Sequence, residues 1–170
     1  MRIQIKHLNR IRIILWTAVV IWMAVIFSLS AQIAVKSVSL SGSTVKIVIE
    51  NTQPGFRKLP VAEQNSIVEN YQHLARKTAH MLAYLLLGIL CAAALYQYPI
   101  SKGERFVTPL TVCTAYACTD EVHQLFIAGR SGQITDVCID ACGAIIGICA
   151  VMLVHWICQK SRKKFAVQIG

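Results

Sequence analysis

Charge is what this chain has least of. Asp, Glu, Lys and Arg make up 15% of its residues, against roughly 25% in a soluble globular protein. Two long stretches, 106–118 and 141–154, carry no charge at all. Apolar residues reach 55%, above the roughly 45–50% of a soluble chain. This composition argues against an aqueous globule and for helices immersed in lipid. Cysteine is missing from the polar segment 33–77, so no disulfide framework staples it. No CxxC occurs among the seven cysteines. Cys138 and Cys142 share a helical face, but cysteine is a small apolar filler of buried helices, and that reading outweighs zinc. No internal repeat and no linker to a second domain interrupt the chain, so a single membrane domain over 1–170 is expected.

What charge there is has a pattern. The net charge is +9. The basic residues flank the apolar runs; they do not form a stripe with interleaved aromatics and no recognition motif accompanies them. Membrane lipids, not nucleic acid, are therefore the expected partners. The fold class expected is all-α, a polytopic membrane protein with four transmembrane helices at about 13–30, 78–98, 106–126 and 134–156. Small residues at Ser28, Ser30 and Ala31 would suit signal cleavage, yet the apolar run exceeds a typical signal core, so an uncleaved first span is expected. Pro60 suits the first turn of a helix, and 61–74 reads as an interfacial helix running into the second span. Over 44–50, strand and amphipathic helix both fit. Pro109 belongs in the first turn of the third span. Four spans put both termini on one side together with the 99–105 turn. Those short basic segments make that side the cytoplasm, and 33–77 and 128–133 then face outward.

That topology gathers polar residues at the outer ends of three helices. Span two delivers Arg76, Lys77, His80 and Tyr84. Span three delivers Asp120, Glu121, His123 and Gln124, with Arg130 in the following loop. Span four delivers Asp136 and Asp140. Intramembrane ionisable groups are costly and mark a functional site by default. Spacing places Arg76, His80 and Tyr84 on one face, Asp120 with His123 and Gln124 on another, and leaves Glu121 pointing elsewhere. Gly143 and Gly147 form a GxxxG pair that permits close helix approach. Several chemistries fit the cluster. His80, Asp120, His123, Asp136 and Asp140 supply the oxygen and imidazole donors that a divalent cation takes. Asp120 or His123 would be the base in acid–base chemistry on a lipid head group, with Arg130 on its phosphate. A proton relay, an ion-coupled transporter and a self-satisfied structural network also fit.

The ordered motifs resemble the VanZ-like family of bacterial membrane proteins. Phe27-Ser28-Leu29-Ser30-Ala31-Gln32 resembles its signature after the first span. Arg76-Lys77-x-Ala79-His80 with Tyr84 and Leu87-Gly88 resembles its second-span pattern. Asp120-Glu121-x-His123-Gln124 with Gly129-Arg130, then Asp136-Val137, Asp140, Gly143 and Gly147, complete it. Two departures stand out: Ala83 where many members carry an acidic residue, and Ala128 in place of a common proline. The first weakens any mechanism that needs an extra carboxylate on span two. The resemblance implies a multi-pass protein of the bacterial cell membrane. It also implies a link to glycopeptide resistance, teicoplanin especially, and no settled catalytic activity. A protein that binds or alters an outer-leaflet lipid, a lipid-linked cell-wall precursor or the lipoglycopeptide itself would fit.

The topology is directly testable. Reporter fusions after Glu50 and after Ser131 are expected to read outside, and fusions after Lys102 and at Gly170 inside. An inside signal at Ser131 would break the shared-pocket argument. N-terminal sequencing of mature protein is expected to find Met1–Gln32 retained.

Overall fold

The computed structural model describes residues 2–31, 45–127 and 132–169, with side chains described over 8–31, 45–127 and 132–162. Every regular element among them is helical. Helix α1 spans Arg2–Ser30. A short helix, α2, covers 45–52, so the undecided segment is helical. A single 3₁₀ turn, Phe56–Lys58, follows. Helices α3 (Val61–Leu95), α4 (Glu104–Gln124) and α5 (Ile134–Ile169) complete the chain. Gly55 precedes the 3₁₀ turn at φ 96°, a left-handed conformation that glycine adopts without a Cβ clash.

Three helices are long and apolar enough to cross a membrane: Leu8–Ser30, Val61–Leu95 and Ile134–Arg162. The expected third span corresponds to helix α4, which is not among these three. Its length of 21 residues gives about 32 Å, enough for a hydrocarbon core of about 30 Å. Its threonines, Pro109, Asp120 and Glu121 dilute its apolar character, and it is packed against α3 and α5. The expected interfacial segment and the second span are one unbroken helix, α3, with Pro60 at its N-cap. Helix α4 starts at Glu104, two residues earlier than expected, so Pro109 lies in its second turn and not its first. Ser101 and Glu104 set that start: the Glu104 N–H donates to Ser101 Oγ at 3.2 Å, and the Ser101 N–H donates to Glu104 Oε2 at 2.8 Å. The same Ser101 N–H holds the Glu104 carboxyl below its usual pKa.

The helices run up and down. At one end, Arg12 of α1 donates to the Gln97 carbonyl and lies over the Tyr98 ring, while Arg105 lies over Tyr96. At the other end, Ser30 of α1 meets Asp120 of α4. Between them lies a core of Val19, Ile26, Tyr84, Leu87, Cys91, Cys113, Ala117 and Ala144. Large apolar side chains such as Ile13, Ile14, Val20, Ile21, Leu153 and Val154 point outward, as in a helix bundle solvated by lipid. Only Cys91 and Cys113 act as buried filler; the other five cysteines are exposed on the helix surfaces.

Helices α3 and α5 form the closest pair. A Cβ built on Gly143 would overlap the Met81 carbonyl, one on Gly147 the Leu85 carbonyl, and one on Gly88 the backbone of Ala144. These glycines let the two backbones touch. Gly147→Val is therefore expected to destabilise the bundle by about 1–3 kcal/mol, the usual cost of overpacking. Ile146→Leu, on an exposed position, is expected to change little. Thermal melting of the detergent-solubilised variants checks both; equal melting of Gly147→Val and the parent would contradict the close crossing.

Candidate functional site

The sequence of α3 descends through one stripe of polar residues: His73, Arg76, Lys77, His80 and Tyr84. Their spacing of three and four residues places them on one helical face. Facing them are the last turns of α4 and the first turns of α5. Together they enclose a cavity of about 140 Å³, lined by His73, Arg76, Lys77, His80, Glu121, Gln124, Gln133, Asp136, Ile139 and Asp140.

Lys77 pairs with Asp136, Nζ to Oδ1 at 2.6 Å, and so ties α3 to α5 near the exposed end of the cavity. Deeper in, His80 Nδ1 lies 4.0 Å from an oxygen of Asp120 and 4.0 Å from an oxygen of Asp140. Both carboxylates are buried, at 2% and 1% exposure. Asp120 Oδ2 accepts from Ser30 Oγ at 2.8 Å and from Gln124 Nε2 at 3.2 Å. Gln124 Nε2 also lies 3.3 Å from Glu121 Oε1, and Glu121 Oε2 accepts the Gln133 N–H at 2.8 Å. Asp140 differs from its neighbours: neither oxygen has a hydrogen-bond partner. Tyr84 OH is likewise buried without a partner below the cavity.

Seven of the expected site residues line the cavity: Arg76, Lys77, His80, Glu121, Gln124, Asp136 and Asp140. Asp120 stands behind His80, and Tyr84 lies beneath. Two expectations need correction. Glu121 does not point elsewhere; it is buried in the cavity wall, because Gln124 and the start of α5 both donate to it. His123 is not among the residues that line the cavity. Its ring stacks on Phe27 of α1, with centroids 4.2 Å apart. Arg130 lies outside the described residues. The five candidate metal donors are not drawn together: among the described residues no group of three or more His, Cys, Asp or Glu side chains could hold a metal ion.

Some contributors were not singled out from the sequence. His73 and Gln133 line the cavity, and Ile139 gives it an apolar wall. His73 was legible in principle, since it precedes Arg76 and Lys77 by three and four residues. Ser30 and Phe27 were quoted as part of a motif without a role. The structure gives each one: Ser30 donates to Asp120, and Phe27 covers His123. At the departure from the family pattern, the Ala83 carbonyl accepts from Trp22 Nε1 at 2.9 Å, so that part of α3 faces α1.

The family whose model matches this chain is described as VanZ-LLP1 (VanZ/LLP1), and the match covers residues 15–155. No curated protein and no solved structure matches.

The Ser30–Asp120 bond joins the first helix to the site. Membrane-embedded polar pairs couple by about 0.6 kcal/mol on average and up to about 1.7; a buried bond to a carboxylate belongs at the upper end. A double-mutant cycle of Ser30→Ala and Asp120→Ala on detergent-unfolding stability is expected to give a coupling of about 1–1.5 kcal/mol. Strict additivity would show that the two side chains do not interact.

Proposed function

The chain belongs to the VanZ/LLP1 family, and on that premise we propose that it protects the cell envelope by binding the head group of an outer-leaflet lipid or lipid-linked cell-wall precursor. In this reading it is a membrane protein of four spans with both termini cytoplasmic, and α4 is the span shielded by its neighbours. Protection against lipoglycopeptides such as teicoplanin follows from competition for, or masking of, an outer-leaflet ligand. The observation that carries the reading is the cavity at the Ser30–Asp120 end. It runs from exposed His73 and half-buried Arg76 to buried Asp140. A guanidinium near its mouth suits an anionic head group.

A second reading, catalysis on the bound head group, is favoured by one observation. His80 stands 4.0 Å from each of two buried carboxylates, an arrangement able to hold a proton on the imidazole next to a substrate. In that case Asp120 positions His80, and His123 takes no part.

Protection and chemistry are separable by experiment. In a susceptible bacterial host expressing the chain, Asp120→Asn is expected to lower the teicoplanin protection, while His123→Gln keeps most of it at matched protein level. Equal loss from both would return His123 to the site. Purified protein is then incubated with labelled phospholipid; head-group release that Asp120→Asn abolishes would establish the enzymatic reading, and its absence leaves binding.

A further inference from the structure

The cavity is electrically graded. At its mouth, His73 is exposed and Arg76 half-buried. Arg76 has no ion pair among the described residues, whereas Lys77 is already neutralised by Asp136. At its floor are Glu121 and Asp140, with Asp120 behind. Asp140 is 1% exposed, and both of its oxygens lack a hydrogen-bond partner. A buried carboxylate without donors is costly, and the His80 Nδ1 is 4.0 Å away, beyond hydrogen-bond distance. Donors from Gln124, Gln133 and Ser30 serve Glu121 and Asp120, and none reaches Asp140.

We propose that this cavity takes a zwitterionic phosphoethanolamine-type head group, its phosphate on Arg76 and its primary ammonium on Asp140. The proposal rests on the lipid-binding reading above and names the chemistry of the ligand. A primary ammonium carries three N–H donors and no acceptor. Two of them satisfy the Asp140 oxygens, and the third faces Glu121. Arg76 and His80 are one helical turn apart, about 6 Å, and Asp140 lies 4.0 Å beside His80, so a two-carbon linker suits the step from the phosphate at Arg76 to the amine at the His80–Asp140 level. Ile139 supplies an apolar wall for that linker. Size agrees. A volume of about 140 Å³ is several times the roughly 10–15 Å³ that one water needs on this measure, enough for the aminoethyl end with the phosphate at the mouth. A purely anionic ligand would meet the acidic floor with repulsion. A quaternary amine would enter without N–H donors and leave Asp140 unsatisfied.

The test uses purified full-length protein in detergent micelles doped with one phospholipid at a time. Phosphatidylethanolamine, its N,N-dimethyl analogue, phosphatidylcholine and phosphatidylglycerol are compared by thermal melting across a lipid titration. Apparent affinity is expected to fall along the methylation series, by about tenfold from the primary to the quaternary amine. Asp140→Asn is expected to erase that difference while leaving the weaker response to phosphatidylglycerol no smaller, and Arg76→Gln is expected to weaken the response to every lipid. A flat methylation series in the parent protein overturns the proposal, and it does so even if Asp140→Asn fails to fold. Equal stabilisation by phosphatidylglycerol and phosphatidylethanolamine leaves the lipid-binding reading standing and removes the ammonium; no response to any lipid removes both. Soluble O-phosphoethanolamine matching the lipid at equal concentration overturns the lipid source. Magnesium alone reproducing the shift, and blocking phosphatidylethanolamine, overturns the ligand in favour of a cation.

Discussion

The polar end of this molecule depends on two backbones lying against each other. In lipid, helices gain little from hiding apolar side chains, so close packing must hold them. Gly88, Gly143 and Gly147 remove side chains along the α3–α5 seam, where any Cβ would strike the opposing backbone. The seam fixes the relative height of the two helices. That height sets Lys77 against Asp136 and His80 near Asp140. Helices α1 and α4 then close on this pair, with Tyr116 OH donating to the Met23 carbonyl at 2.6 Å and Ser30 donating to Asp120.

Satisfaction of the buried carboxylates is graded around the cluster. Glu121 accepts from Gln133, just before α5, Asp120 from the end of α1, and both from Gln124. Each is thus tied to a segment outside α4, which makes these bonds structural as well as electrostatic. Asp140 has no such neighbour. Burial without a donor is unusual in a native interior. It marks the point where the fold stops serving itself.

Much of this was legible in the sequence because charge inside apolar sequence is so conspicuous. Asp136, Asp140, His80 and the Asp120–Gln124 run stood out for that reason, and the glycine pair announced the helix seam. The extent of α3 was less clear. Its first turns are polar, and hydropathy marks where a span begins, not where a helix begins; Pro60 alone signalled the true start. Direction within a helix also misled. Glu121 lines the cavity and His123 does not, the reverse of what their spacing suggested. Their fate is decided by partners distant in sequence: Gln133 draws Glu121 inward, and Phe27 draws His123 toward α1. Spacing within one helix carries no information about such partners.

Helix α3 has no break between Val61 and Leu95, and this makes it a lever. Its free arm begins beyond Met81, the outermost contact of the glycine seam. From there to Val61 the arm is about 30 Å long, and to Lys77 about 6 Å. A tilt of about 10° would therefore sweep the far tip through about 5 Å and the Lys77 level through only about 1 Å. The seam thus isolates the width of the cavity from the position of the distant polar tip.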